Sequence, residues 1–348
     1  MRILHVTECF EGGVSRAITS RVEASPAHEH HLLYAGPDEP HERLWASTTP
    51  MRKHPLRAFR DLRRAAAAAR PHVIHAHSSW AGVLTRLWPR PPAPIVYEPH
   101  CFKFDDPALS PAGHFMVRSA EAILARRTAV FGVLSSHEGH LARSLRSSAR
   151  TVFIPNLPTV TRSNAQPPPE AGAALSKIVM VGRLSPEKEP AFFMDVVNAL
   201  RQRGVPLEAV WAGDGDAALR DVLVSGGVRV TGWLSPAELA ELLRGAVYVH
   251  SSRYEGMPLS LLDAAACDCP IVARRIPALQ GLPVLQSADA DRIAEHIERL
   301  TKSAEMRQEA SESNAALLRR FAPARLSEQL EVLYRSALTA DRGRGRRG

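Results

Sequence analysis

Two carboxylates bracket a short glycine-proline turn in the segment RYEGMPLSLLDAAACDCPIVA. Glu255 stands directly before the turn, and Asp263 follows with seven residues between the two acids. The apolar residues after the turn predict a helix over residues 257–266. Pro258 would lie in the first turn of this helix, where its missing N–H group costs nothing.

The start of this predicted helix is suited to binding an anion. The backbone N–H groups of Met257 and Leu259 would point outward without an intrahelical partner. The helix dipole adds roughly half a positive charge at the same end. A phosphate or a diphosphate is therefore the expected ligand, and Asp263, two turns further on, is too distant to repel it strongly.

Two cations flank a second turn, in the sequence VGRLSPEK. Arg183 follows Gly182 at the predicted end of a strand, and Lys188 lies five residues later, just before a predicted helix. Arginine offers phosphate oxygens a planar fork of donors, and lysine offers a point charge. We expect both side chains to hold the diphosphate; a pair of solvated cations is the alternative.

Together these motifs resemble, in type and in order, those of the retaining glycosyltransferases of family four. The resemblance also covers the glycine loop in MRILHVTECFEGGVSR and the segments WAGDGDAALRDVL and VRVTGWLSPAELAELLRGA. It implies the α/β GT-B fold, in which two doubly wound, Rossmann-like parallel-sheet domains face each other across a cleft. It also implies a UDP- or GDP-linked sugar donor as substrate, with no metal and no other cofactor.

The resemblance implies a role for individual residues. Glu255 would accept hydrogen bonds from the donor sugar, and Asp263 would face the ribose. Arg183 and Lys188 would neutralise the leaving nucleoside diphosphate. His100, in VYEPHCFKFDD, would lie near the reacting carbon. The expected catalytic residues are His100, Glu255, Arg183 and Lys188.

Further donor contacts are expected from loops that follow strands. Gly12 and Gly13 link the first strand to the first helix, where glycine lets a ligand approach the backbone closely; a simple tight turn is the alternative. Trp233 and the loop at Gly213 are expected to frame the nucleobase. The expected donor-binding residues are Gly12, Gly13, Gly182, Arg183, Lys188, Gly213, Trp233, Glu255, Gly256, Met257, Pro258, Leu259 and Asp263.

Two positions depart from the pattern of the family. Asp263 stands where the family usually has Glu, and Glu189 follows Lys188 where the family usually has Gly. Aspartate is one methylene shorter than glutamate, so its reach toward the ribose is shorter. Both departures bear on how the donor is contacted.

The composition indicates a folded chain of two domains. The 348 residues suit two domains of about 150 residues each, and the hydrophobic and charged fractions of 45% and 23% are those of globular proteins. No apolar run approaches the roughly 18 residues of a spanning helix, and MRILHVTECF makes a poor signal peptide, so we expect a cytoplasmic protein. The four cysteines lack metal-finger spacing and are expected to be free thiols.

The net charge of +8 and the pI of about 9.7 favour phosphate-rich partners. A helix predicted over residues 56–69 carries Arg57, Arg60, Arg63 and Arg64 on one broad face. Because each basic residue near an anionic surface contributes about 1 kcal/mol, we expect this face to dock peripherally on the inner side of the cell membrane, with a solvated face as the alternative. Nucleic acid is not an expected partner.

Apolar runs alternate with helical patterns in two separate stretches, which is typical of parallel α/β sheets. A proline-rich stretch with neither period separates them. We therefore predict an acceptor-side Rossmann-like domain, a linker, a nucleotide-sugar-binding Rossmann-like domain, a helix that crosses back to the first domain, and a disordered basic tail, over residues 1–157, 158–174, 175–322, 323–340 and 341–348 respectively.

The sequence thus predicts a retaining, metal-independent glycosyltransferase of the hexosyltransferase class. It would move a sugar from a nucleotide donor to a hydroxyl of a glycan, lipid-linked or small-molecule acceptor, for example in polysaccharide biosynthesis. The resemblance implies front-face attack, in which a diphosphate oxygen helps to deprotonate the acceptor. Two alternatives stay open: a sugar-nucleotide epimerase of the same fold, and a non-catalytic sugar-nucleotide-binding protein.

Overall fold

The computed structural model describes residues 1–160 and 175–344, with side chains described up to residue 340. The chain forms two compact units, one of Met1–Asn156 with Ala322–Gly348 and the other of Leu157–Phe321. Each unit is built on one parallel sheet with helical connections. The predicted fold class, two doubly wound α/β domains, is confirmed.

The first unit contains a seven-stranded sheet in the order β3-β2-β1-β4-β5-β6-β7, in which every pair is parallel. Its strands are β1 (Arg2–Thr7), β2 (Glu29–Tyr34), β3 (Ser47–Pro50), β4 (Val73–His77), β5 (Ile95–Glu98), β6 (Val130–Val133) and β7 (Thr151–Phe153). The helices between them are α1 (Gly12–Glu23), α2 (Pro55–Ala69), α3 (Ser79–Arg86), α4 (Pro111–Ala125) and α5 (Ser136–Leu145).

The second unit contains a six-stranded sheet in the order β10-β9-β8-β11-β12-β13, again with parallel pairs. Its strands are β8 (Lys177–Val181), β9 (Glu208–Ala212), β10 (Arg229–Val230), β11 (Ala246–His250), β12 (Ile271–Arg274) and β13 (Leu285–Ser287). Its helices are α6 (Pro190–Gln202), α7 (Ala217–Ser225), α8 (Pro236–Leu243), α9 (Leu259–Ala266), α10 (Ala290–Lys302) and α11 (Ala304–Arg320).

The last helix, α12 (Pro323–Arg344), belongs to the first unit. It packs on the first sheet through side chains that are fully buried, Leu326, Leu330, Leu333, Tyr334 and Ala337. The helix continues to Arg344, four residues into the tail that we predicted to be disordered, and residues 345–348 lie outside the described residues. Among the described helices, none combines the length and the apolar character needed to span a bilayer.

Local sequence signals account for several element boundaries. Ser235 caps α8 in a full capping box with Glu238. The edge strands β3 and β13 are only three or four residues long, too short to show a hydrophobic period. Of the predicted linker, residues 161–174 lie outside the described residues.

Glu189 occupies a strained backbone position between the turn Pro186–Lys188 and α6. Its φ and ψ angles are 49° and 67°, in the left-handed region that an L-residue adopts at a cost of about 1–2 kcal/mol. Its carboxylate forms an ion pair with Arg274. Glycine would adopt this left-handed conformation without strain. It could not form the ion pair with Arg274, which offsets part of the strain at Glu189.

Substituting Glu189 separates the strain from the ion pair. Glu189→Ala loses the contact with Arg274 and keeps a left-handed side-chain-bearing residue, whereas Glu189→Gly loses the same contact and relaxes the backbone. We therefore expect the Gly variant to be more stable than the Ala variant by about 1 kcal/mol. Urea unfolding of the two variants beside the wild type measures this difference, and equal midpoints would contradict it.

Candidate functional site

The order of the strands in the second sheet identifies the edge where a ligand would bind. The connections from β8 leave toward β9 on one side and, later, β11 on the other, so the winding direction changes between β8 and β11. Open α/β sheets bind ligands beyond the carboxyl ends of the strands at such a point. The segments that follow these two strands begin at Gly182 and Ser251, and they contain the two predicted turns.

The structure joins the two turns through direct contacts. Nζ of Lys188 donates a hydrogen bond to Oε1 of Glu255, and both side chains are about four-fifths buried, with 19% and 15% of their surface exposed. The hydroxyl of Ser251 donates to the carbonyl of Lys188 at 2.6 Å. The backbone N–H of Arg253 donates to the carbonyl of Glu187 at 3.0 Å. The loops after β8 and β11 therefore form one connected surface.

Charges at this edge are set by burial and by the ion pair. Burial alone would raise the pKa of Glu255, but the ammonium of Lys188 and the neighbouring His250 bring that pKa below its ordinary value. Burial lowers the pKa of His250 to about 4, although Glu255 opposes this shift. At neutral pH the site therefore holds an ionised carboxylate beside a lysine ammonium and a neutral imidazole.

Close backbone packing places three of the predicted glycine and lysine positions together. A Cβ atom on Gly213 would lie 2.0 Å from the carbonyl oxygen of Gly182, so glycine is required there. A Cβ atom on Gly182 would touch Cε of Lys188 at 3.3 Å. Nε1 of Trp211 donates to the carbonyl of Gly182 at 2.9 Å and fixes the end of β8.

Two further predicted residues lie on exposed surface near these contacts. Arg183 follows Gly182 and has an exposed side chain. Trp233 is 63% exposed and follows Gly232, whose backbone pairs with Gly213. The roles assigned to Arg183 and Trp233 stay predictions.

The turn after Glu255 differs in one respect from the sequence prediction. The helix α9 begins at Leu259, two residues later than predicted, because Pro258 has an extended ψ of 126° and acts as the N-cap residue. Gly256 and Met257 precede the helix and are buried. The N-cap residue of α9 makes no side-chain hydrogen bond to the helix, so the first turn lacks the usual N-cap acceptor.

Asp263 is 1% exposed and is engaged by the chain itself. Its Oδ1 atom accepts hydrogen bonds from the backbone N–H groups of Thr159 and Val160, and its Oδ2 atom accepts one from the Thr159 hydroxyl at 2.9 Å. The carboxylate thus anchors the start of the linker to α9. Sequence reasoning missed this contact, since 104 positions separate Thr159 from the acid. Its contact with a ribose stays a prediction.

In the first unit, the start of α1 is occupied by a carboxylate of the chain. The N–H group of Gly12 donates to Oδ2 of Asp38 at 2.9 Å, and the Ser15 hydroxyl donates to the same atom at 2.5 Å. Gly13 is exposed beside this contact. A ligand anion at this helix start would share the positive end of α1 with Asp38, and the donor contact of the glycine pair stays a prediction.

The carboxyl edge of the first sheet carries strained residues. Ser78 follows β4 with a φ of 67°, and His100 and Cys101 follow β5 with φ angles of 54° and 119°. Non-glycine residues with such angles are uncommon and cluster at functional sites. The sequence pattern gave no sign of this strain, because none of the three positions carries glycine or asparagine.

Beneath this edge lies a buried polar network around Glu98. The guanidinium of Arg21 donates to the Glu98 carboxylate at 2.6 Å, and both side chains are fully buried. Burial alone would raise the pKa of Glu98, but Arg21 and His100 hold it well below its usual range. Nε2 of His75 lies 3.3 Å from the same carboxylate, and its Nδ1 lies 3.2 Å from the hydroxyl of Tyr334.

Two groups within this network bring three metal-ligand atoms within 4.8 Å of one another in the described part of the chain. They are His5 with His75 and His77, and His77 with Glu98 and His100. Most of these nitrogen atoms already form hydrogen bonds with each other, and Glu98 is paired with Arg21. We therefore interpret the cluster as a hydrogen-bond network.

Comparison with known proteins agrees with this arrangement in both units. The chain matches two family models, the glycosyl transferase 4-like domain over residues 12–157 and the glycosyl transferases group 1 over residues 176–303. It is 26% identical over 173 residues to an alpha-D-kanosaminyltransferase of Streptomyces kanamyceticus. That alignment covers 45% of each protein, so the chain matches less than half the length of this relative.

Solved structures share the fold over almost the whole chain. Sucrose-phosphate synthase of Thermosynechococcus elongatus has a TM-score of 0.78 at 17% identity, covering 98% of this chain and 100% of that protein. HepE of Anabaena, solved with UDP-glucose, has a TM-score of 0.76 at 16% identity, covering 97% and 100%. At such identities the likeness establishes the fold only. With both family models matched in order over residues 12–157 and 176–303, the chain belongs to the glycosyl transferases that these models describe, and it has the GT-B fold of the solved structures.

Proposed function

We propose that the enzyme uses a UDP- or GDP-linked sugar and holds its diphosphate at the carboxyl edge of the second sheet. The observation that carries the proposal is the contact of Lys188 with Glu255 at the point where the strand order reverses. The uncapped start of α9 follows directly, with its N–H groups and positive dipole end. Arg183, exposed beside Gly182, would complete a set of donors suited to two phosphates.

The chemistry of the transfer fits this set of donors. Negative charge grows on the leaving diphosphate as the glycosidic bond breaks, so contacts from Lys188 and Arg183 strengthen toward the transition state. Glu255 partly neutralises Lys188 and keeps its ammonium in place. A bound diphosphate would share that ammonium without moving it far, which limits the reorganisation that the reaction requires.

The carboxylates and the base-facing residues have separate proposed roles. Glu255 is ionised because Lys188 and His250 offset its burial, and an ionised carboxylate accepts hydrogen bonds from sugar hydroxyls. Trp233 and the loop at Gly213 would frame the base. Asp263 would face the ribose only by sharing oxygens that now hold Thr159 and Val160, so donor binding and linker position would be coupled.

Retention of configuration and independence of metal ions belong to the same proposal. The resemblance to retaining enzymes supports retention, and two cations with a helix start are a sufficient source of positive charge for the diphosphate. The HepE structure holds UDP-glucose, and a structure of TarM from S. aureus, with a TM-score of 0.59, holds UDP and alpha-GlcNAc-glycerol. These neighbours support a nucleotide-sugar donor and a hydroxyl-bearing glycan acceptor.

Slow hydrolysis of the donor tests the diphosphate site without knowledge of the acceptor. Incubation with a panel of nucleotide sugars should identify one donor that releases its nucleoside diphosphate and free sugar. Lys188→Ala and Arg183→Ala should each slow this release by roughly 10- to 150-fold, since each removes a hydrogen bond between charged groups. Lys302→Ala is the matched control, because Lys302 is 70% exposed on α10 and should leave the rate unchanged.

Each outcome of this experiment has a defined meaning. Unchanged rates in both site variants, with wild-type thermal melting, would contradict the diphosphate assignment. Release of an epimerised sugar would favour a sugar-nucleotide epimerase. Saturable binding of a nucleotide sugar, with no release from any member of the panel, would favour a non-catalytic binding protein. Stereochemistry is read from the anomer first released, which should keep the configuration of the donor.

We also propose that the first unit docks on anionic membrane through α2. Arg57, Arg60, Arg63 and Arg64 all have exposed side chains on this helix. Leu56 is 74% exposed at its start, which would let an apolar side chain enter the headgroup region. The acid on this helix, Asp61, is buried and is held by Arg52, so it does not cancel the exposed charge.

Vesicle co-sedimentation tests the docking surface. Binding of the wild type should increase with the fraction of phosphatidylglycerol and fall with salt, because each arginine contributes about 1 kcal/mol near an anionic surface. Replacing the four arginines with glutamine should abolish sedimentation, whereas replacing Arg292, Arg299 and Lys302 on α10 should not. Binding that is independent of anionic lipid would remove the proposal.

A further inference from the structure

Four buried histidines of the first unit form a continuous chain of hydrogen bonds that ends at His100. Nδ1 of His30 lies 3.0 Å from Nε2 of His5, and Nδ1 of His5 lies 3.0 Å from Nε2 of His77. Nδ1 of His77 lies 3.1 Å from Nε2 of His100. Every link joins an Nδ1 atom to the Nε2 atom of the next ring, so the chain runs in one sense throughout.

Ser25, at the inner end of the chain, can only accept a hydrogen bond from His30. Nε2 of His30 lies 3.1 Å from the carbonyl oxygen of Ser25 and 3.2 Å from its hydroxyl oxygen. That hydroxyl donates its own hydrogen to the carbonyl of Arg21 at 2.6 Å, so it offers His30 only a lone pair. A carbonyl oxygen has no hydrogen to give. The hydrogen between His30 and Ser25 must therefore be on Nε2 of His30.

The hydrogen on Nε2 of His30 determines which nitrogen carries the hydrogen in each of the other rings. A neutral imidazole carries one N–H donor and one acceptor nitrogen. Since His30 donates from Nε2, its Nδ1 must accept from His5, and the same reasoning passes through His77 to His100. The four contacts need four hydrogens, which are the four that four neutral rings carry. None is left for Nδ1 of His100.

The rings are neutral because they are buried. Burial is the largest influence on each of them, and it lowers the pKa of His30 and of His100 to about 4 and those of His5 and His77 well below the usual value. The carboxylate of Glu98 opposes the shift of His100 and lies 3.6 Å from its Nε2 atom. That position also favours a hydrogen on Nε2, which agrees with the chain.

Nδ1 of His100 is the open end of the chain. No described residue forms a hydrogen bond with this atom, and the side chain is 7% exposed. His100 follows β5 at the carboxyl edge of the sheet, where its positive φ of 54° holds the ring in an unusual position. An unprotonated nitrogen held there can accept a hydrogen bond but cannot donate one.

We propose that the histidine chain from Ser25 sets the tautomer of His100, so that its Nδ1 atom accepts a hydrogen bond from a hydroxyl group of the sugar substrate. His5, His30 and His77 are then positioning residues, which act on the substrate only through His100. The tautomer follows from the contacts between neutral, buried rings, whereas the hydroxyl ligand rests on the proposed function. The reaction would accordingly favour a donor or acceptor with a free hydroxyl at this point.

Nuclear magnetic resonance of the full chain tests the tautomers directly. With ¹⁵N-labelled histidine rings, the long-range couplings to ring protons distinguish Nε2–H from Nδ1–H, and His→Gln variants assign the signals. We expect His5, His30, His77 and His100 to be Nε2–H and neutral at pH 7. An Nδ1–H form at any of the four, or averaged signals from both tautomers, would overturn the proposal.

A matched pair of variants tests whether the chain acts on His100. His30→Asn keeps an oxygen that can accept from His5, whereas His30→Leu has similar size and no acceptor. We expect Asn to preserve the Nε2–H form of His100 and Leu to let its Nδ1–H form appear. An unchanged His100 tautomer in a folded Leu variant would show that the chain does not set it, and the wild-type spectrum decides the assignment where that variant does not fold.

Donor hydrolysis then connects the tautomer to the substrate. The rate of His30→Leu should fall by about five- to tenfold, as for one lost hydrogen bond, while that of His30→Asn stays near the wild type. Equal rates with a changed tautomer would overturn the hydroxyl contact. Failure of the proposed function would look different, because no donor would then be hydrolysed even by the wild type, and the tautomers would still be as expected.

Discussion

Parallel strand order is the constraint from which both halves of this enzyme follow. In a doubly wound sheet the connections leave the central strand in opposite directions, and loops that are far apart in sequence meet beyond its carboxyl end. In the second unit this brings Lys188 to Glu255 across 67 positions of sequence. In the first unit the same geometry collects Ser78 and His100 after β4 and β5. The chemistry is therefore located by topology before any side chain is considered.

The pairing of Lys188 with Glu255 solves a physical difficulty of anion sites. A lysine ammonium that waits for a diphosphate in a partly buried place would suffer desolvation and would repel nearby cations. Glu255 offsets that charge, and the adjacent His250 stays neutral because of burial. The same carboxylate remains ionised and able to accept hydrogen bonds from a sugar. Under the proposed function, one ion pair keeps both groups ready for different parts of one donor.

Local pattern was sufficient for the alternation of strands and helices in two stretches, which the structure shows as two parallel sheets with helical connections. It was insufficient wherever a contact between residues distant in sequence determines the local structure. Three features have no signature in the residues beside them in sequence. They are the hydrogen bonds of Thr159 to Asp263, the contact of Asp38 with the start of α1, and the left-handed backbone of His100. The two motifs of the second unit could be found because turns and helix starts have local signatures; their contact required the sheet.

Packing alone does not account for the buried polar network of the first unit. Fully buried polar groups must satisfy one another to avoid a large desolvation penalty, and well-packed hydrocarbon is often as stable as a buried ion pair or more so. Here Arg21, Glu98 and a row of imidazoles take the place of hydrocarbon between β1, β4 and β5. Satisfied networks of this kind fix orientation and hydrogen position more sharply than apolar side chains can. The network leads outward to His100 at the carboxyl edge of the first sheet, so the hydrogen positions that it fixes extend to that edge.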